Sequence, residues 1–175
     1  MSSNKSLHFS SAFAISCGTV SVDIKKSLVL LILYRKTGEY LLPKGRKDIN
    51  EDLKQTATRE TFEETGFPVE VLPLAIPTLA TTPTQVGTIE ASSSAGRALV
   101  TEPIAVTQRV TNGNLKIIFW YAAQVDSTLQ QKKGTQQEGE GFDTVWIPTE
   151  RVMETLSFDD DRQIAAMVVS AIQAL

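Results

Sequence analysis

The chain is short of cysteine, histidine and net positive charge, and each scarcity removes a class of function. Cys17 is the lone cysteine and His8 the lone histidine. No internal disulfide is available, and neither a thiolate site nor a histidine-rich metal site can be built. Any metal must therefore be held mainly by oxygen. Lys and Arg number 17 against 20 Asp and Glu, a net charge of -3, which excludes a general nucleic-acid binder with its basic excess. No run reaches the roughly 18 consecutive apolar residues of a membrane span. The longest candidate, Ser27 to Tyr34, is strand-length and flanked by Lys25, Lys26, Arg35 and Lys36. Ser2 stands where N-myristoylation requires glycine. Lys5 and the short Ala12-Phe-Ala-Ile15 stretch faintly mimic a secretion signal without a small-x-small cleavage site. They read as the approach to a first strand, so a cytoplasmic location is expected and secretion is the lesser reading. Cys17 is expected as a buried small hydrophobe, and His8 has no evident partner.

What is present suits one domain over residues 1–175, with 42% apolar and 21% charged residues. β-branched and aromatic runs predict strands at Phe13–Val22, Leu28–Tyr34, Tyr40–Leu42, Val69–Ile76, Leu99–Gln108, Leu115–Val125 and Thr144–Ile147. Lys36-Thr37-Gly38-Glu39 reads as a hairpin turn. A helix is predicted from Glu51 to Thr65, capped by Asn50 and ended by Gly66. A second is predicted from Ser157 to Ala174, with a Ser157-x-x-Asp160 cap. Its Ile164, Met167, Val168, Ala171, Ile172 and Leu175 form a core stripe. Polar stretches near 81–97 and 126–141 exceed usual connection lengths and are expected as mobile loops. The order of elements implies an α/β (α+β) sandwich.

The chemistry concentrates between Leu42 and Phe67. On a helix, Glu60, Glu63 and Glu64 stand at i, i+3 and i+4 and share one face. Three carboxylates so placed repel one another, and a hard cation such as Mg²⁺ or Mn²⁺ would relieve the repulsion through oxygen ligands. The alternative is a solvated acidic face. Angular position favours the metal, because Leu53, Ala57 and Thr61 lie on or beside the acidic stripe, so the acids border the packed side. Residues 51–64 hold Glu51, Asp52, Glu60, Glu63 and Glu64 against Lys54 and Arg59, a net -3 that equals the charge of the whole chain.

The spacing Gly45-x5-Glu51-x7-Arg59-Glu60-Thr61-x-Glu63-Glu64-x-Gly66-Phe67 resembles the signature of the Nudix hydrolases. One position departs, since the pattern has an aliphatic residue where Thr61 stands. The resemblance implies an α/β/α sandwich with a mixed central sheet and cleavage of a P–O–P bond by a metal-activated water. It implies that Glu60, Glu63, Glu64 and the Gly45 carbonyl bind Mg²⁺ or Mn²⁺. Arg59 would orient the carboxylates, and Glu51 would support them from the first helical turn or simply interact with the helix dipole. Some family members take an acid, as metal ligand or base, from a loop before the last strand. Glu140 occupies a comparable place, with Glu138 as a rival.

The Pro43-Lys44-Gly45 lead-in is similar to that of branches acting on dinucleoside polyphosphates and on diphosphoinositol polyphosphates. The layout from Lys116 to Tyr121 through Val145-Trp146-Ile147 is similar to dinucleoside tetraphosphate hydrolases. Lys44, Arg46 and Lys47 put three cations in four residues beside the acidic stretch, which suits a substrate rich in phosphate. Arg35 is a further candidate, and Lys36, Lys132 and Lys133 could add to it if their loops face the site. Trp120 or Tyr121 could stack on adenine, with one of the two expected in the core. The favoured partner is a small diphosphoinositol polyphosphate, diadenosine polyphosphates follow closely, and a binding module without hydrolysis comes last. No nucleic-acid or membrane partner is expected.

Overall fold

The computed structural model describes residues 5–81 and 99–174. β1 (Phe13–Asp23) is the axis of the molecule, and its apolar and small residues are buried from Ser16 onward. It runs parallel to β7 (Asn114–Val125), from Phe13 opposite Leu115 to Val22 opposite Gln124. On its other side two antiparallel strands share it. β2 (Leu28–Tyr34) pairs with the end of β1, and β4 (Lys44–Arg46) pairs with its beginning, Gly18 opposite Lys44 and Ser16 opposite Arg46. β3 (Glu39–Leu41) and β8 (Phe142–Pro148) pair with β2. β5 (Val69–Val71) and β6 (Ala105–Thr111) pair with β7. The result is a mixed sheet, eight-stranded among the described residues.

Side chains on successive strand residues point to opposite faces, so each face acquires its own helix. α1 (Leu53–Thr65) covers one face, with Ala57 against Cys17 and Tyr121. α3 (Asp159–Gln173) covers the other, and its Ile164, Ala165, Val168 and Val169 join Val20, Val22, Leu31 and Trp120 in the largest core cluster. The short α2 (Val152–Thr155) adds Val152 to that cluster. This is the expected α/β/α sandwich.

Several local expectations need correction. α1 begins at Leu53, with Asp52 rather than Asn50 as its cap; Asp52 accepts from the Gln55 N–H at 2.8 Å. Asn50 sits in the preceding turn at φ 63°. Ser157 does not cap α3, because its hydroxyl accepts from the Tyr40 N–H at 2.9 Å. The strand expected over Val69–Ile76 ends at Val71, and the one expected from Leu99 begins at Ala105; among the described residues between them Leu74 and Val100 form an isolated bridge. The 81–97 stretch, apart from Thr81, lies outside the described residues. Trp120 and Tyr121 are both core, 1% and 2% exposed, so neither is presented to a base. Thr61 is fully buried, and its hydroxyl meets that of Thr19 on β1 at 2.7 Å and donates to the Ala57 carbonyl. A polar residue in the aliphatic position is thus accommodated by a polar residue opposite it.

Candidate active site

α1 and β4 together build the acidic centre. The helix turn sets Glu60, Glu63 and Glu64 side by side, and Ala57 and Thr61 hold that flank against β1. Arg59 is the organiser. Its Nε and Nη2 donate to both oxygens of Glu51, at 2.7 and 3.0 Å, while Nη1 donates to Glu60 Oε1 at 2.8 Å and Glu63 Oε2 at 3.0 Å. Nη2 also donates to the Arg46 carbonyl, which ties the helix to β4. Glu51 lies before the helix, not in its first turn. It holds Arg59 and also accepts from the Thr56 hydroxyl and the Asp48 N–H.

Glu64 is buried, and its Oε2 accepts from the Lys44 N–H at 2.8 Å. Burial pushes its carboxyl up to about 8, against the pull of Lys44 and with the push of Glu140 and Glu60. Glu60 is also raised, first by burial, while Arg59 opposes. Glu51 moves the other way, down to about 2, because the Arg59 hydrogen bonds stabilise its charge. One guanidinium thus binds Glu51, Glu60 and Glu63, while Glu64, buried beside them with the Lys44 N–H as its partner, is held largely protonated near neutral pH.

Gly45 is required by contact, since a Cβ there would overlap the Glu60 carboxylate. Arg59 and Lys44 engage one oxygen each of Glu60, Glu63 and Glu64, and Glu60 Oε2, Glu63 Oε1 and Glu64 Oε1 accept no hydrogen bond among the described residues. Arg59 draws Glu60 and Glu63 towards itself, and no group of three or more His, Cys, Asp or Glu side chains converges at metal-binding distance among the described residues. The donor set is nonetheless all oxygen, partly desolvated and in excess of its cations, which fits a hard divalent ion.

The segment 126–141 runs along the end of α1. Thr135 Oγ1 donates to the Glu63 carbonyl, Gln136 Nε2 to that of Glu64, and Gln131 Nε2 to that of Thr65. These bonds satisfy carbonyls that a helix end leaves open. They also bring Glu140, half-buried, close enough for its charge to act on Glu60 and Glu64, whereas Glu138 is exposed.

The basic candidates separate. β4 is a strand, so Lys44 and Arg46 lie on the face of Gly18 and Ser16, whereas Lys47 lies on the α1 face. Lys47 Nζ donates to the Asp48 carbonyl. Arg35 stands 3.7 Å from Asp143, beside Gly141, in a cavity of about 430 Å³ also lined by Lys132, Lys133 and Gln136. It does not join the hydrogen bonds of the carboxylates. Two cations escaped sequence reasoning: Lys116 on β7 and Arg109 opposite it on β6. The signal was a lysine in step with Ile118 and Trp120, a cation on the core side of an apolar strand.

Fold and site define an α/β/α protein with an all-oxygen acidic centre on its first long helix. Residues 14–167 match the family model described as the NUDIX domain. The chain belongs to that family, and with it to the hydrolases of phosphoanhydride-type bonds. A NUDIX-family hydrolase from Clostridium perfringens is 22% identical over 92% of this chain and 97% of its own, with a TM-score of 0.59. A Caenorhabditis elegans Ap4A hydrolase in a binary complex is 14% identical over 93% and 99%, with a TM-score of 0.62. A MutT protein from Bacillus halodurans is 19% identical over 90% and 82%, with a TM-score of 0.58. At such identities the likeness shows the fold alone. No curated protein matches the chain.

Proposed function

We propose that the chain hydrolyses a P–O–P bond of a small polyphosphorylated substrate, and that it uses Mg²⁺, or Mn²⁺, to do so. The observation that carries this reading is the carboxylate set of α1. Arg59 aligns Glu60 and Glu63, Glu64 is buried beside them, and among the described residues each keeps one oxygen outside the hydrogen-bond network. Those oxygens and the Gly45 carbonyl would hold the ion. A bound divalent ion supplies charge neutralisation of the diphosphate and a lowered pKa for a bound water. Arg59 fixes the carboxylates, Lys44 and Arg46 would attract phosphate, and Glu140, whose charge acts on Glu60 and Glu64, would accept the proton of the attacking water. Intact Glu60, Glu63 and Glu64 argue against a binding module without hydrolysis.

Diphosphoinositol polyphosphates remain the favoured substrates. The burial of Trp120 and Tyr121 removes the two aromatics that the sequence offered for stacking on adenine, while the basic residues on the sheet suit a ligand of many phosphates. A dinucleoside polyphosphate is the second reading, favoured by the fold likeness to the C. elegans Ap4A hydrolase.

The test is phosphate release from a diphosphoinositol polyphosphate and from diadenosine tetraphosphate, with Mg²⁺ and with chelator. Chelator should abolish turnover. Glu64→Gln should lower kcat by about 10²-fold or more with little change in KM. Equal turnover with and without chelator would overturn the metal requirement.

A further inference from the structure

The sheet face opposite α1 carries a second charged centre, of the other sign. Register places Lys44 and Arg46 of β4, Lys116 of β7 and Arg109 of β6 on this one face. Lys116 is half-buried, and burial together with the positive charges of Lys44, Arg109 and Arg46 lowers its pKa. Like charges held this close on a partly desolvated surface are costly without an anion. Nearby acids balance them only in part. Asp160 of α3 binds Arg109 at 2.9 Å, and Asp161, whose charge is felt by Arg109 and Lys44, is itself held towards its neutral form.

A second, independent observation lies in the floor of the same patch. Ser16 is fully buried on β1, between register partners Arg46 on β4 and Ile118 on β7, and so points to the same face. Its Oγ has no hydrogen-bond partner among the described residues. A buried hydroxyl without a partner is destabilising, because it has given up its water bonds for nothing. A phosphate oxygen would accept a hydrogen bond from it and at the same time compensate the cations.

We propose that Ser16, Lys44, Arg46, Arg109 and Lys116 form a phosphate-binding floor that grips the substrate's phosphates remote from the bond being cleaved. The inference rests on the hydrolase reading above and gives it a specificity surface. Lys44 links the two centres, since its backbone N–H holds Glu64 while its side chain belongs to the floor. The scissile diphosphate lies on the α1 side of β4, and the remaining phosphates pass to the opposite face.

The test measures binding by calorimetry in EDTA, without turnover, so that it stands apart from catalysis. Inositol hexakisphosphate and adenosine tetraphosphate are the two probes, and the tighter one identifies the source of the phosphates. Lys116→Gln and Arg109→Gln should each weaken the tighter probe about tenfold, as expected for a charged hydrogen bond. Asp160→Asn should tighten it, because it frees Arg109, a gain that a merely structural role would not produce. Lys25→Gln, at the far end of β1, should leave it unchanged. Arg109 is exposed enough that its variant decides the matter even if Lys116→Gln does not fold. Binding of both probes unchanged in Arg109→Gln and Asp160→Asn overturns the floor. Loss of binding in Arg109→Gln supports it even if no phosphoanhydride is hydrolysed, in which case only the catalytic reading fails.

Discussion

Asp161 illustrates how much one residue's environment matters. It is 3% exposed in the first turn of α3; one oxygen receives a long 3.5 Å bond from the Leu42 N–H, and the other has no partner among the described residues. Burial, aided by Asp160, pushes its carboxyl from 3.8 up to about 6. The folded protein thus holds this proton to higher pH than the unfolded chain, and the stability it brings is present below about pH 4 and lost as pH rises through 6. Asp161→Asn should therefore gain stability over the native chain as pH rises from 4 to 7, by up to about 3 kcal/mol. Urea unfolding at both pH values measures the difference, and a pH-independent difference would refute the buried cost. The sequence showed three acids at a helix start and suggested a favourable dipole. It could not show that the third turns inward, because that depends on where β3 and its connection to β4 lie.

At the scale of the element, α1 is the part most legible in the sequence. Its end and terminal glycine followed from helix formers and the C-cap preference for glycine, and its acidic stripe from 3.6-residue spacing, while its start lies two residues later than expected. Gly66 adopts φ 77°, its N–H bonds the Phe62 carbonyl at 2.7 Å, and its own carbonyl accepts from Lys132 N. A Cβ there would collide with the Lys132 backbone oxygen. Gly66→Ala should cost about 1–2 kcal/mol of left-handed strain, plus displacement of 131–136 from the helix end, and should lower kcat through Glu140. Denaturant melts and kinetics check it, and a loss below about 0.5 kcal/mol would mean the segment yields freely. The cap was misplaced because Asn and Asp serve equally by propensity; Asn50's left-handed turn leaves Asp52 to do it. β4 was not legible at all. Lys-Gly-Arg has no strand pattern and becomes a strand only by pairing with β1, which is what sends Lys44 and Arg46 one way and Lys47 the other.

Across the whole molecule, the acidic and basic centres lie on either side of β4, and both bear on how the protein responds to its conditions. Glu64, held up to about 8, must lose its proton to ligate a cation, so metal binding should release a proton and strengthen with pH. Mg²⁺ should accordingly raise Tm more at pH 8.5 than at pH 6.5. Calorimetry in buffers of different ionisation enthalpy should count up to one proton released per ion. A Tm shift of equal size at both pH values would remove Glu64 from the ligand set.

The sequence by itself determined the carboxylate stripe, its arginine and its flanking glycines, because these lie within one local stretch whose geometry the helix repeat dictates. It also determined the alternation of strands and helices, which apolar periodicity records. Only the tertiary structure decided which residues from distant strands meet. Arg109 and Lys116 join Lys44 through β1, to which two other strands bring them, and Thr19 answers Thr61 across 42 positions. Such meetings depend on strand register, and register is set by the packing of the whole sheet rather than by any segment of it.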